Sequence, residues 1–495
     1  MKLNKHDVLS ALLQHNYFPM QKKDRDEIPP VFTSTSFTPK VAKLLIDTAL
    51  KRKSEGYDSV CVKLTRFNGV SRDCSIPHPL AYAQLAFCIS HNWVKMDYIT
   101  RCSNSQVKIK KYKDGRLVVM DYDSSSFQRD SKNIKSILGK RFMVRTDIAN
   151  FYPSIYSHAL PWALVGFSFA KNHKPPKYKL EWYNQIDEKV RFLKRNETQG
   201  IAIGPATSNI LSELILTRID EKLSKSGFIF CRYVDDYTAY CNTEEEGREF
   251  IRELSEELSI YKLNLNINKT KFFTLPQPGL DHWIILLRQG LPHKNKLSIF
   301  EAETYLDLAI ELSYDYPDGS VLKYALKSLV GQNMYVNTRY FLIGKTLNLA
   351  FHQPILLPIL SKLFENIPSL HVKRFAVELN KIAHINAINR HSDGMAWALY
   401  YLNKYKIGIK PDVAKAIIKS HDCIALIMLY LSKNPTFQKS VMDFAKGLKS
   451  SELYDLDQHW LLLFQLFIDK KIANPYSDNV FEILKEKNVN FIEEG

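Results

Sequence analysis

The sequence predicts an α+β fold over residues 1–290, with an antiparallel sheet and packed helices, followed by an all-α region over residues 291–495. Period-2 alternation, which is typical of a strand, occurs around residues 141–147, and apolar runs at 228–231 and 237–240 indicate two further strands. Strand signals fade beyond the Pro- and Gly-containing segment 276–292, and successive amphipathic helical patterns follow. This change of pattern predicts a domain boundary near residue 290.

The most informative chemical signal is Tyr233-Val234-Asp235-Asp236, which lies between two apolar strand segments. Adjacent strand residues point to opposite faces, so neighbouring aspartates converge only where the backbone turns. A third carboxylate, Asp147, ends the strand predicted over residues 141–147. Carboxylates held close together repel one another, and a divalent cation relieves that repulsion. For the tetrapeptide alone, the alternative is a solvated Asp-Asp turn.

Three carboxylates from separate strands predict a site for two Mg²⁺ or Mn²⁺ ions, because hard cations prefer oxygen ligands. Such a pair of ions assists in-line attack of a 3′-hydroxyl on a nucleotide α-phosphate.

Two further segments accompany the aspartates. Between the strands, Gln199–Asn209 is a Gly-rich turn, and a helix is predicted after Pro205. After the Asp pair, Thr243 begins a capped helix, and Leu263–Phe272 follows with an alternating pattern. Taken singly, the turn is compatible with a plain loop and the last segment with a solvated edge strand.

Together and in order, these four segments resemble the palm motifs of reverse transcriptases, from about Lys140 to Phe273. The resemblance implies catalytic roles for the aspartates and for Lys269 at the pyrophosphate, although Lys271 lies close by. It also implies that Tyr152 is a steric gate against ribonucleotides; the alternative for Tyr152 is core packing beside Phe151. The implied metal ligands are Asp147, Ile148, Asp235 and Asp236. The implied deoxynucleotide-binding residues are Arg72, Tyr152, Gly204, Pro205 and Tyr233.

Motifs in the N-terminal third of the chain resemble those of one subgroup of reverse transcriptases. Tyr17-Phe18-Pro19, Ile28–Phe32 and Arg72–Pro79 are similar to the fingers motifs of prokaryotic abortive-infection (Abi, AbiK- and AbiA-like) and "unknown group" reverse transcriptases. That family implies an enzyme of antiphage defence that makes DNA without a template and primes on its own protein, whereas the seven cysteines without a CxxC pair indicate a cytoplasmic protein. The family also implies single-stranded DNA, covalently attached, as the product, and a homo-oligomer with a trimer or hexamer favoured over a dimer.

One segment departs from ordinary reverse transcriptases. Templated enzymes usually carry Pro-Gln-Gly where this chain has Ala202-Ile203-Gly204, and isoleucine cannot hydrogen-bond a base or template. Template-independent synthesis is therefore expected. The alternatives are an RNA-templated reverse transcriptase (RNA-directed DNA polymerase) and a catalytically inactive nucleic-acid-binding scaffold. The priming tyrosine is not identified among 26 tyrosines; Tyr17 and the Tyr400-Tyr401-Tyr405 cluster are candidates, and core packing is the alternative for each.

Composition agrees with a polyanion-binding protein. The net charge is +16 and the pI is about 9.2. Seven cysteines without a CxxC pair predict reduced thiols and no zinc site. The N-terminus lacks a signal-peptide core, and no apolar stretch is long enough to span a bilayer, so no membrane association is expected.

The region after residue 291 is predicted to be an irregular, HEAT-like helical-repeat domain, without a strict repeat motif. It is expected to act as a buttress, an oligomerisation surface or a nucleic-acid contact. Examples of the predicted helices are 302–312, 321–329, 355–364, 372–385, 396–405, 413–420, 424–431 and 456–468.

Overall fold

The computed structural model describes residues 3–50, 52, 55–66, 70–120, 134, 136–317, 320–365, 367–449 and 452–493. The N-terminal part pairs β1 (Ser59–Thr65) with β2 (Ser71–Pro77) as an antiparallel hairpin. Its helices are α1 (Lys5–Gln14), α2 (Pro39–Thr48), α3 (Pro79–His91) and α4 (Trp93–Met96).

The palm is a four-stranded antiparallel sheet in the order β4-β5-β3-β6. Its strands are β3 (Phe142–Asp147), β4 (Ile229–Tyr233), β5 (Asp236–Cys241) and β6 (Lys271–Thr274). The helices of this part of the chain are α5 (Phe151–Ser154), α6 (Ala159–Val165), α7 (Phe167–Asn172), α8 (Trp182–Phe192), α9 (Ala206–Lys225), α10 (Glu244–Ile260) and α11 (His282–Gly290). Helix α10 packs on β5 and β3. The predicted α+β architecture is confirmed.

The segment predicted as an alternating strand over Leu263–Phe272 differs in the structure. A 3₁₀ turn occupies Ile267–Lys269; after it β6 pairs with β3, and before it Leu265 forms an isolated antiparallel bridge with Ile148. The chain turns because Asn266 N donates to the carbonyl of Asp147 at 2.8 Å, which ties the segment to the end of β3.

The region after residue 291 is helical, as predicted. Its helices are α12 (Ile299–Asp315), α13 (Val321–Val330), α14 (Val336–His352), α15 (Leu360–Phe364), α16 (Ser369–Val372), α17 (Ala376–Asn389), α18 (Ser392–Lys404), α19 (Pro411–Ser420), α20 (Cys423–Tyr430), α21 (Pro435–Gly447), α22 (Leu453–Gln458), α23 (Trp460–Ile468) and α24 (Val480–Glu486). Short 3₁₀ segments lie at Asp97–Arg101, Pro354–Ile359 and Lys373–Phe375. Successive helices pack on their neighbours, as α17 does on α18 and on α19.

The C-terminal helices return to the N-terminal part and pack against it. Trp460 Nε1 donates to the carbonyl of Ile76 at 3.1 Å. Asp457 forms a two-pronged ion pair with Arg52. Thr33 N donates to the carbonyl of Phe491 at 3.0 Å. The two predicted regions therefore share one hydrophobic core.

Within the described residues, no helix combines the length and apolar character that crossing a bilayer requires. All seven cysteines are free thiols.

Candidate active site

The three predicted carboxylates lie at one end of the palm sheet. Asp147 ends β3 and stands directly opposite Asp236 of β5 in the antiparallel register. Tyr233 pairs with Asp236, so Val234 and Asp235 form the two-residue turn between β4 and β5. The turn is held against β3 because Ile148 N donates to the carbonyl of Asp235 at 3.3 Å.

The electrostatics of this cluster are those of crowded carboxylates. Burial, then the neighbouring charges of Asp236 and Asp147, raise the pKa of Asp235 to about 7, while Arg72 acts in the opposite direction. A cation bound among these groups would favour their charged forms. The site thus has a physical requirement for positive charge.

Lys269 supplies part of that charge. Its Nζ lies 2.5 Å from Oδ2 of Asp147, and this hydrogen bond raises the pKa of Lys269 despite partial burial. Lys271, the neighbouring candidate, is exposed on β6 and pairs in register with Arg145. Of the two lysines, the structure places Lys269 at the carboxylates.

The donor set fits Mg²⁺ or Mn²⁺, because the site offers carboxylate oxygens and no thiolate or imidazole. In the described chain, no three His, Cys, Asp or Glu side chains already form a metal-binding cluster. Asp147, Asp235, Asp236 and the backbone of Ile148 are the groups that would hold the ions.

Arg232, a buried residue, stabilises the turn between β4 and β5, a role that was not predicted from the sequence. Arg232 of β4 is fully buried and forms ion pairs with Glu213 and Asp220 of α9. Its Nη1 also donates to the carbonyl of Val234 at 2.8 Å, and Tyr237 donates to Asp220. Two features of the sequence could have indicated this role: Arg232 is a charged residue at an inward-facing strand position, and Glu213 and Asp220 are two carboxylates seven residues apart on one helix.

The Gly-rich turn before α9 lies against β2. Ser75 N donates to the carbonyl of Ile203 at 2.6 Å, and Gln21 Nε2 donates to that of Gly204 at 2.9 Å. Gly204 has φ +129°, and a Cβ there would lie 3.0 Å from the carbonyl oxygen of Ser75. Only glycine fits this close approach without a shift of the backbone. Pro205 follows as the N-cap residue of α9.

Tyr152, the predicted steric gate, lies on α5 with 9% of its surface exposed. Its ring contacts that of Phe151, with centroids 5.1 Å apart. Asn209 Nδ2 of α9 donates to the Tyr152 hydroxyl at 3.1 Å, which fixes the direction of the ring. Both the packing role and the gate position are therefore compatible with its location, and Asn209 is a second positioning residue that the sequence analysis did not assign.

The predicted nucleotide-binding residues separate into two groups. Arg72, Tyr152 and Gly204 line one cavity. Pro205 and Tyr233 do not line it, and Tyr233 is buried behind the turn. The three aspartates lie outside this cavity too, but Arg72 connects the two places because its charge acts on Asp235.

Comparison with protein families identifies the central part of the chain. A family model described as "Reverse transcriptase (RNA-dependent DNA polymerase)" matches residues 96–305, a span that includes the three aspartates, Tyr152 and Lys269. This part of the chain thus matches the reverse transcriptase family, and the match spans less than half of the chain. No curated protein sequence matches the chain.

Solved structures similar to this chain include telomerases. Apo telomerase from Candida tropicalis is 12% identical, with 79% of this chain and 71% of that chain covered and a TM-score of 0.32. Telomerase from Candida albicans with the TWJ fragment of telomeric RNA is 11% identical, with 83% and 68% covered and a TM-score of 0.29.

Proposed function

We propose that this chain is a metal-dependent DNA polymerase that extends DNA from deoxynucleoside triphosphates. The observation that carries the proposal is the convergence of Asp147, Asp235 and Asp236 at the end of the palm sheet. A catalytically inactive scaffold would have no physical reason to keep three repelling carboxylates at one place. Two Mg²⁺ or Mn²⁺ ions bound there would activate the attacking hydroxyl and stabilise the leaving pyrophosphate.

The surrounding residues have complementary roles in this proposal. Arg72 attracts the triphosphate and Tyr152 presents its ring under the sugar. Lys269, which already contacts Asp147, neutralises or protonates the pyrophosphate as it leaves. Each role matches the residue's chemistry: a fixed cation, a bulky ring, and a flexible ammonium with three donors.

We further propose that synthesis is independent of a template. The supporting observation is the position of Ile203, whose carbonyl is bonded to β2 and whose side chain offers no hydrogen bond to a base. The family description, an RNA-dependent DNA polymerase, favours the second candidate, RNA-templated copying.

Protein priming, a covalently attached single-stranded DNA product, a closed homo-oligomer and a role in antiphage defence belong to the same proposal. They rest on the resemblance to abortive-infection reverse transcriptases. The tyrosine that primes stays unassigned. Tyr17 and Tyr401 are fully buried and donate their hydroxyls to the carbonyls of Pro77 and Leu357, so neither presents a free nucleophile in this conformation.

The decisive experiment supplies all four dNTPs and Mg²⁺ or Mn²⁺ to the pure protein, without nucleic acid. Products are analysed on a denaturing gel before and after protease treatment and are then sequenced. DNA that stays bound to protein and has no relation to any added template supports the proposal. Product that appears only with primer and template, and copies the template faithfully, returns the chain to the templated class.

A further inference from the structure

A cavity of about 200 Å³ lies where the N-terminal part, the palm and the C-terminal helices meet. One wall carries Tyr152 and Gly204, which belong to the proposed nucleotide site. Further lining residues come from the C-terminal helices: Trp397 of α18 and residues of the 3₁₀ segment Pro354–Ile359. The helical region therefore lines the same cavity as the proposed nucleotide site.

Among the residues that the structure describes, three side-chain atoms of this cavity's lining are buried without a hydrogen-bond partner: Glu27 Oε2, Trp397 Nε1 and Asp26 Oδ1, the last of which lies 3.6 Å from Lys22 Nζ. Glu27 is 8% exposed, and its Oε2 is buried without a partner. Trp397 is 4% exposed, and its Nε1 is equally buried without one. Burial also raises the pKa of Glu27. Buried polar groups are nearly always satisfied in native proteins, so an unsatisfied acceptor and an unsatisfied donor in the lining of one cavity are suited to binding a polar ligand there.

The position of Trp397 is fixed by contacts of α18 with the hairpin. Asp393, one turn before it, accepts hydrogen bonds from the backbone nitrogen and the hydroxyl of Thr65, at 2.9 and 2.6 Å. Ser392 accepts another from Lys63 N at 2.8 Å. These bonds hold the start of α18 on β1 and thereby hold the indole beside the cavity.

We infer that this cavity receives the base of the incoming deoxynucleotide, with Glu27 and Trp397 hydrogen-bonding its edge. The inference rests on the template-independent synthesis proposed above. The charge of Lys22, 4.0 Å from Oε1, favours the ionised form of Glu27, which only accepts, whereas an indole N–H only donates. Every nucleobase presents a donor and an acceptor side by side. The prolines and Ile355 offer apolar surface for the faces of the ring. Protein side chains thus provide the contacts that a template base provides in a templated polymerase.

The test compares the full-length wild type with Glu27→Gln and Trp397→Phe. Trp93→Phe is the matched control, because Trp93 is also buried with an unpartnered Nε1 but does not line the cavity. Each protein extends DNA from an equimolar mixture of the four dNTPs, and the base composition of the product is measured. Removing one partner of a buried hydrogen bond should shift the ratio of at least two bases by about fivefold or more.

A binding measurement gives a second readout that does not depend on turnover. The thermal midpoint is recorded with each dNTP and with the abasic deoxyribose triphosphate. In the wild type and in Trp93→Phe, the base should add stabilisation beyond that of the abasic compound, and in Glu27→Gln and Trp397→Phe this increment should fall. Equal stabilisation of the wild type by both compounds, or unchanged base ratios in both cavity variants, overturns the inference.

A parallel reaction with a homopolymer template separates the two proposals. Product that follows the template refutes template independence. It also refutes the proposal that Glu27 and Trp397 select the base of the incoming nucleotide. Product that ignores the template, with base ratios unchanged in the cavity variants, leaves the polymerase proposal standing and refutes only the roles of Glu27 and Trp397.

Discussion

Arg232 donates from Nη1 to the carbonyl oxygen of Val234 at 2.8 Å, from a position that is completely buried. Val234 has φ +56°, which is costly for a β-branched residue. The arginine is itself fixed by Glu213 and Asp220. A buried charge network therefore holds the strained residue that directly precedes Asp235, and the turn geometry depends on α9 as well as on the two strands.

Arg232→Lys tests this dependence. Lysine keeps the charge but loses the planar fork, so the carbonyl of Val234 and the two carboxylates cannot all be satisfied. We expect activity to fall about tenfold or more, with a loss of stability of about 1–3 kcal/mol. The matched control is Arg218→Lys on α9, whose partner Glu221 is partly exposed. Both are compared by dNTP incorporation and by urea unfolding, and full activity of Arg232→Lys would refute the positioning role.

Asp235→Asn should separate function from stability. The substitution removes a ligand of the proposed metal site, so incorporation should disappear. It also removes a carboxylate whose pKa is raised by burial, by Asp236 and by Asp147, so repulsion in the folded state decreases. In EDTA, the unfolding midpoint should rise by roughly 1–3 °C. Incorporation equal to that of wild type would contradict the assignment, whereas exposed Asp281→Asn should change neither property.

The strands, the turn and the helix after Pro205 were predictable because each follows a local pattern: period-2 alternation, an Asp pair between strands, and a proline at a helix start. Helix α14 (Val336–His352) lies in the region predicted to be helical, but its bounds were not predicted. Its buried side chains include Thr338 and Thr346 and its middle contains Gly344, so the apolar stripe is weak in the sequence. Packing by neighbouring helices overrides that local weakness.

The carboxylate cluster was also predictable, whereas its surroundings were not. The positions of Asp147 and Asp235 follow from the ends of strands. In contrast, the contacts of Asn209 with Tyr152 and of Asp393 with Thr65 join segments far apart in sequence. The cavity between the palm and α18 depends on such long-range packing, which no local pattern encodes.

Tyr152 should be dissected with two substitutions. Tyr152→Val removes the ring, so the use of rNTPs relative to dNTPs should rise about tenfold or more. Tyr152→Phe keeps the ring and loses only the hydrogen bond from Asn209, so discrimination should change little. The ratio of kcat/KM values for dNTP and rNTP is the measurement. Unchanged discrimination in an active Tyr152→Val enzyme would leave Tyr152 with packing alone.

Lys269 and Lys271 form a natural pair of test positions. Lys269→Met removes the ammonium that contacts Asp147, and we expect a loss of about 10²-fold or more in kcat. Lys269→Arg should retain part of the rate, because charge is preserved. Lys271→Met should be close to wild type, since that side chain is exposed on β6. Single-turnover incorporation measures the effect on chemistry. Equal rates for Lys269→Met and Lys271→Met would show that Lys269 is a solvated side chain without a role in catalysis.

The ion pair of Asp26 with Lys323 joins the N-terminal part to the C-terminal helices, and its contribution to the free energy of unfolding should depend on pH. Burial alone raises the pKa of Asp26, but Lys323 of α13, at 2.5 Å, and Lys22 lower it to about 2. Because the folded-state pKa is below the unfolded one, the stabilisation is complete at neutral pH and is lost as the pH falls towards 2. Asp26→Asn should be less stable than wild type at pH 6, and this difference should shrink by about 1 kcal/mol by pH 3. Urea unfolding at both pH values measures it, with Asp47→Asn, whose ion pair with Lys43 is exposed, as the control. A difference that does not change with pH would show that Asp26 is not held ionised by Lys323.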